Sequence, residues 1–170
     1  MHKRWVFQPT SRGNPAREDR GRTLTNVQAE PALDQPYYGA PLSAAVRRFF
    51  KKYATFSGRA SRSEYWWWVL VSVVVSFALQ LLITVTGGAR MQPNGTWQIE
   101  GGFGVVFVVL YVIWGLAIII PSLALLVRRL HDSNHSAWWL LIYLIPLVGA
   151  IVLFVFSLLG PKPEGARFDR

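Results

Sequence analysis

FSGRASRSEYWWW, residues 56–68, divides the chain into two different materials. Before it the sequence is polar, basic and rich in turn formers; after it come long uncharged apolar runs. Within it, Ser61 and Glu64 have the S-x-x-E spacing of a capping box. In that device the hydroxyl accepts a backbone amide of the first helical turn and the carboxylate reaches back to the capping residue's own amide. The spacing predicts a helix that begins just after Ser61. Tyr65, Trp66, Trp67 and Trp68 then fall in its first turns, and amphipathic rings of this kind collect at the headgroup layer of a bilayer. The stretch reads as the place where the chain enters a membrane.

Downstream, no Asp, Glu, Lys or Arg occurs in 65–89, 101–127 or 133–161. A spanning helix needs about 20 mostly apolar residues, and each run is long enough. Charged residues make up 16 % of the chain, against about 25 % in soluble domains, and helices apolar all round have no face to offer water. The expectation is an all-α integral membrane protein with three transmembrane helices at about 65–86, 103–127 and 138–159. Together they form a membrane domain over 58–160, followed by a short polar tail at 161–170. Pro121 should kink the second span, and Pro146 with Gly149 should bend the third. Ser72, Ser76, Gln80 and Thr84 recur every four residues, a ridge suited to helix–helix contact. Pro93, Asn94 and Gly95 mark a turn in the first loop.

Upstream, five of the ten prolines fall in 1–41, and the charges there have no helical period, so this segment reads as a disordered basic arm. No signal-peptide core follows Lys3 and Arg4. Residues 42–57 read as an amphipathic helix, with Val46, Phe49, Phe50 and Tyr53 on one side and Arg47, Arg48, Lys51 and Lys52 on the other. Such a helix suits a membrane surface or the protein's own inner face. Gly58 should end it in a left-handed turn. Of the 18 Lys and Arg residues, 12 precede Tyr65, one lies in 87–100, two in 128–137 and three in the tail. The bias places the N-terminus in the cytoplasm. Three spans then put the tail outside, mildly against the charge rule. A re-entrant third segment, the weaker option, would bring it back.

The charges that flank the spans are the candidate site. Arg59, Arg62, Arg128, Arg129 and His131 would form a basic inner surface for anionic headgroups or a partner protein. Glu64 and Asp132 would be the structural charge partners, Glu64 near Arg128 or Arg129 and Asp132 near Arg59 or Arg62. His131, Asp132 and His135 could hold a metal if helical, but Asp-Ser-Asn-His-Ser is turn-like, so no metal or cofactor is expected. The absence of cysteine excludes disulfides and thiolate chemistry. No ionisable group lies at mid-membrane depth, where transport pathways usually keep them. The sequence thus predicts a non-enzymatic membrane protein. A small transporter or accessory subunit is the alternative and a membrane enzyme at 128–132 the third reading. A homo-oligomer or a partner membrane protein is compatible with this surface. Nucleic acid is unfavoured, because the aromatics beside the cations sit at helical spacing rather than on a stacking platform.

Two motifs occur together, F-x-GRASRSEYW at 56–66 and RRLHDSNHSAWW at 128–139. Together they resemble the bacterial inner-membrane family called domain of unknown function 805, over about 53–168. The resemblance implies a small protein of three or four spans, with a proline–glycine pair in the last, as Pro146 and Gly149 stand here. It attaches no activity, cofactor or substrate. The family's Asn-Arg-Phe-Gly-like tail is matched only by Arg167 and Phe168.

Overall fold

The computed structural model describes residues 30–99 and 102–169. Most of the arm predicted over 1–41 lies outside them. The part that is described does not read as disorder: 31–40 form turns packed against the helices, with Gln35 N–H on Ala32 O and Ala40 N–H on Tyr37 O. The helices that follow are α1 (Leu42–Lys51), α2 (Arg62–Val85), α3 (Gly104–Asp132) and α4 (Val148–Leu158). Two 3-10 helices, Ala137–Leu144 and Pro163–Phe168, flank α4.

The capping box forms as the sequence predicts. Ser61 Oγ accepts the Glu64 amide at 3.2 Å, and a Glu64 carboxylate oxygen accepts the Ser61 amide at 2.9 Å. α2 and α3, of 24 and 29 residues, are long enough to cross a bilayer, since each residue adds about 1.5 Å and the hydrocarbon core is about 30 Å thick. Only 11 % of the most apolar stretch of either helix is buried within the molecule. Core helices of soluble proteins are buried; these display Val73, Phe77, Ile113 and Leu116 instead. The two helices meet along the serine ridge, where Trp114 donates to Ser76 Oγ and Trp68 donates to Ser122 Oγ. Between them, Arg90–Met91 and Trp97–Gln98 pair as a small antiparallel hairpin about Gly95, a departure from the all-α expectation.

The third predicted span is not one continuous helix. Residues 137–144 wind as a 3-10 helix, the chain turns at 145–147 with Leu147 at φ 64°, and α4 has only 11 residues. Eleven residues of α-helix reach about 16 Å, half of the hydrocarbon thickness. The two halves pack on each other where a Cβ on Gly149 would overlap the Ile142 carbonyl. Pro146 supplies the break, as the sequence suggests, but the result is a reversal rather than a bend. The chain therefore returns to the end from which it left: Lys162 N–H bonds Asp132 O at 2.8 Å, and Gly58 N–H bonds Phe168 O at 2.8 Å. The tail sits beside the start of α2, not at the far end that three full crossings would give it.

α1 is shorter than predicted, ending at Lys51 rather than 57. Its buried face is Ala44, Ala45, Arg48 and Phe49, with Lys52 just beyond. Phe49 stacks on Trp68 of α2. Arg48 and Lys52 thus lie inside, and Phe50 and Tyr53, predicted apolar-face residues, are exposed.

Candidate functional site

Most of the interior lies at one end of the molecule. Its largest fully buried side chains include Arg48, Arg128, Arg129 and Asp132 as well as Phe49 and Leu130. Both motifs meet there, because Ala60 N–H donates to Arg128 O at 3.0 Å and ties the turn before α2 to the end of α3.

Glu64 is the first node. Beyond closing the capping box, it accepts the Tyr37 amide at 3.1 Å and Arg48 Nε at 2.6 Å. Arg48 then spreads its remaining donors over the carbonyls of Pro31, Ala32, Leu33 and Gln35, which fixes the 31–35 turn on α1. Asp132 is the second node. It accepts Arg129 Nη1 at 2.5 Å and the Tyr38 hydroxyl at 2.8 Å. Burial, with the bond to Asp132, pushes the Tyr38 phenol up to about 12. Arg129 also donates to the carbonyls of Ser157 and Leu159. Those carbonyls belong to the unpaired C-terminal end of α4, and cations are favoured at such ends. The direct ion pairs are therefore Arg48–Glu64 and Arg129–Asp132, while the predicted neighbours Arg128 and Arg59 lie close enough to act electrostatically on Glu64 and Asp132 without pairing with them. The carboxylates are captured by cations closer to them in sequence, 16 and 3 residues away.

Arg59 pairs with Asp169 through two nitrogens, at 2.6–3.0 Å, and this bond raises its pKa. His131 donates through Nδ1–H to Gly58 O at 3.1 Å while its ring stacks on Phe168. Gly58 holds φ 79° there, with Asp34 O 2.9 Å from any Cβ. The glycine is needed for this crossing rather than to end α1. His135 turns elsewhere, to Ser133 Oγ and the Phe156 ring, and burial lowers its pKa. His131, Asp132 and His135 thus serve three separate contacts. Among the described residues no group of three His, Cys, Asp or Glu side chains converges as a metal site.

Of the five residues predicted for a basic surface, Arg128, Arg129 and His131 are buried, Arg59 is half-buried, and Arg62 is exposed. Arg128 spends Nε on Ala124 O within its own helix, and its Nη2, like Lys52 Nζ, finds no hydrogen-bond partner among the described residues. Burial and the neighbouring Arg128 and Arg48 push Lys52 down to about 8. Sequence reasoning missed Tyr38, Arg48, Lys52 and Asp169. The one available signal was Tyr37-Tyr38, an aromatic pair in an otherwise polar arm.

These features define a class: a helical protein whose two membrane-length helices hang from a buried knot of charged side chains. The chain belongs to the family described as protein of unknown function DUF805, whose sequence pattern matches residues 53–170. It is 38 % identical over 121 residues to the inner membrane protein YhaH of Escherichia coli strain K12, covering 71 % of this chain and 89 % of that one. It is 33 % identical over 106 residues to the inner membrane protein YhaI of the same strain, covering 62 % and 75 %. No solved structure matches. Tyr38 and Arg48, which hold the two acidic nodes, precede the residues that match the family's sequence pattern.

Proposed function

We propose that this is a non-enzymatic inner-membrane protein with two spans and one re-entrant hairpin, whose cytoplasmic knot binds anionic lipid headgroups. The observation that carries the reading is the sorting of charge. Glu64 and Asp132 are neutralised inside by Arg48 and Arg129, while Arg47, Lys51, Arg62, Lys162 and Arg167 are exposed. Arg62 occupies the first turn of α2, one turn from Trp66 and Trp67, at the depth where headgroup phosphates lie. Each cation near an anionic surface contributes about 1 kcal/mol of attraction.

The names of the relatives support the inner membrane as location. The return of the tail supports the cytoplasmic orientation, because only Arg90 among the described cations then lies at the opposite end. The test is association of the purified full chain, in nanodiscs, with spin-labelled phosphatidylglycerol against phosphatidylcholine. Preference for the anionic lipid that weakens with salt and with Arg62→Gln is the expected result. Equal association with both lipids rejects headgroup recognition.

A further inference from the structure

An apolar cleft of about 800 Å³ runs between α2, α3 and the 3-10 helix Ala137–Leu144. Trp68 and Val69 form one wall, Gly115 and Ile119 the second, Leu141 and Leu144 the third. Residues three apart eclipse in a 3-10 helix, so Leu141 and Leu144 make one continuous row. Gly115 is the informative residue. Glycine in a helix interior costs about 1 kcal/mol relative to alanine, and helix contacts in membranes usually explain it by close backbone approach. Here a Cβ on Gly115 would meet nothing within 4 Å. The glycine serves no close packing; it leaves the cleft wide at mid-depth.

At 100° per residue Arg62, Val69 and Val73 fall within about 20° of one line on α2, which places the Arg62 Cα one end above the apolar wall. Arg62 also lines a smaller recess of about 290 Å³ with Tyr38, Ser63, Pro161 and Asp132, whose charge Arg129 neutralises. An exposed arginine beyond the end of a long apolar cleft, on the line of its wall, matches an amphiphile with an anionic head. We infer that the cleft holds one acyl chain of an anionic phospholipid whose phosphate lies at Arg62. The volume is within the range of built ligand sites, about 300–1,000 Å³. This site deepens the headgroup reading and rests on it for the identity of the head, though not for the chain.

The experiment uses the full-length protein in nanodiscs with phosphatidylglycerol spin-labelled at mid-chain, read by electron paramagnetic resonance. Wild type should show a motionally restricted component that saturates at about one lipid per protein, as one site requires. Gly115→Leu, which fills the cleft, should lower affinity for that component about tenfold or more, about 1.4 kcal/mol. Gly115→Ala should retain it. Should Gly115→Leu not fold, Val73→Phe narrows the same cleft from α2 and should have the same effect. Arg62→Gln should leave the restricted component but abolish its preference over spin-labelled phosphatidylcholine. A wild-type spectrum with only mobile surrounding lipid, or an unchanged restricted component in both cleft-filled variants, overturns the proposal. Restriction without headgroup preference in wild type rejects the headgroup reading and leaves the chain site standing.

Discussion

Pro121 has no amide proton to give the carbonyl four residues back, and the hydroxyl of Tyr53 supplies one from outside the helix, 2.7 Å from Ala117 O. In an apolar layer an unpaired carbonyl is costly, so a tyrosine beyond the end of α1 completes a helix it does not belong to. Tyr53→Phe should therefore cost about 1–3 kcal/mol, read by unfolding in detergent. In a Pro121→Ala background the restored amide takes the carbonyl itself, and the same change should then cost less than half as much. Equal costs in the two backgrounds would show that Tyr53 contributes only packing. Lys52 gives a second expectation. Its native pKa, about 8, lies below the ordinary lysine value of 10.5. Below pH 8 both folded and unfolded chains hold the proton, and the buried charge counts fully against the fold. Between about 8 and 10.5 the unfolded chain holds more protons, so stability should rise with pH. Lys52→Met should flatten that rise in denaturation measured across the range. At this scale the capping box was legible because its partners are three residues apart. Arg48 was not, because its carboxylate and carbonyl partners lie on other segments, and helical spacing alone put it on the outer side.

Two elements were read correctly as helices and one was not. α2 and α3 declare themselves through length and the lack of charge. The third apolar run has the same signature, and length cannot separate one crossing from two half-crossings folded back to back. What decides it is the contact across the turn, where Gly149 leaves room for the Ile142 carbonyl. Gly149→Ala should cost about 1–3 kcal/mol through overlap, whereas Ala150→Leu, at an exposed position, should be nearly neutral. Thermal unfolding of the two variants checks this, and equal effects would mean that the hairpin halves are not in close contact. α1 starts where the sequence places it but is rotated: of the predicted stripe only Phe49 is buried, with Ala44, Ala45 and Arg48, because the helix turns toward α2 so that Glu64 can take Arg48.

At the scale of the molecule, the two motifs were recognisable as a pair before any reason for the pairing was visible. The reason is that each supplies backbone to the other: Ala60 bonds to Arg128, and Gly58 to both His131 and the tail. Arg167 and Phe168, the only tail residues that match the expected closing pattern, flank this junction, and Phe168 stacks on His131. The proposed arrangement, with this charged knot inside and the apolar lengths facing lipid, commits the described segment before α2 and the tail to one side of the membrane. That commitment can be measured directly in this cysteine-free chain with single cysteines at Thr96 and Glu164, both exposed; Gly165 is unsuitable because a Cβ there would lie 2.5 Å from His131 O. Membrane-impermeant maleimide applied to intact cells, and then to inverted vesicles, should label position 96 only from outside and position 164 only from the cytoplasmic side. Labelling of position 164 from outside would contradict the re-entrant hairpin and restore a third full span.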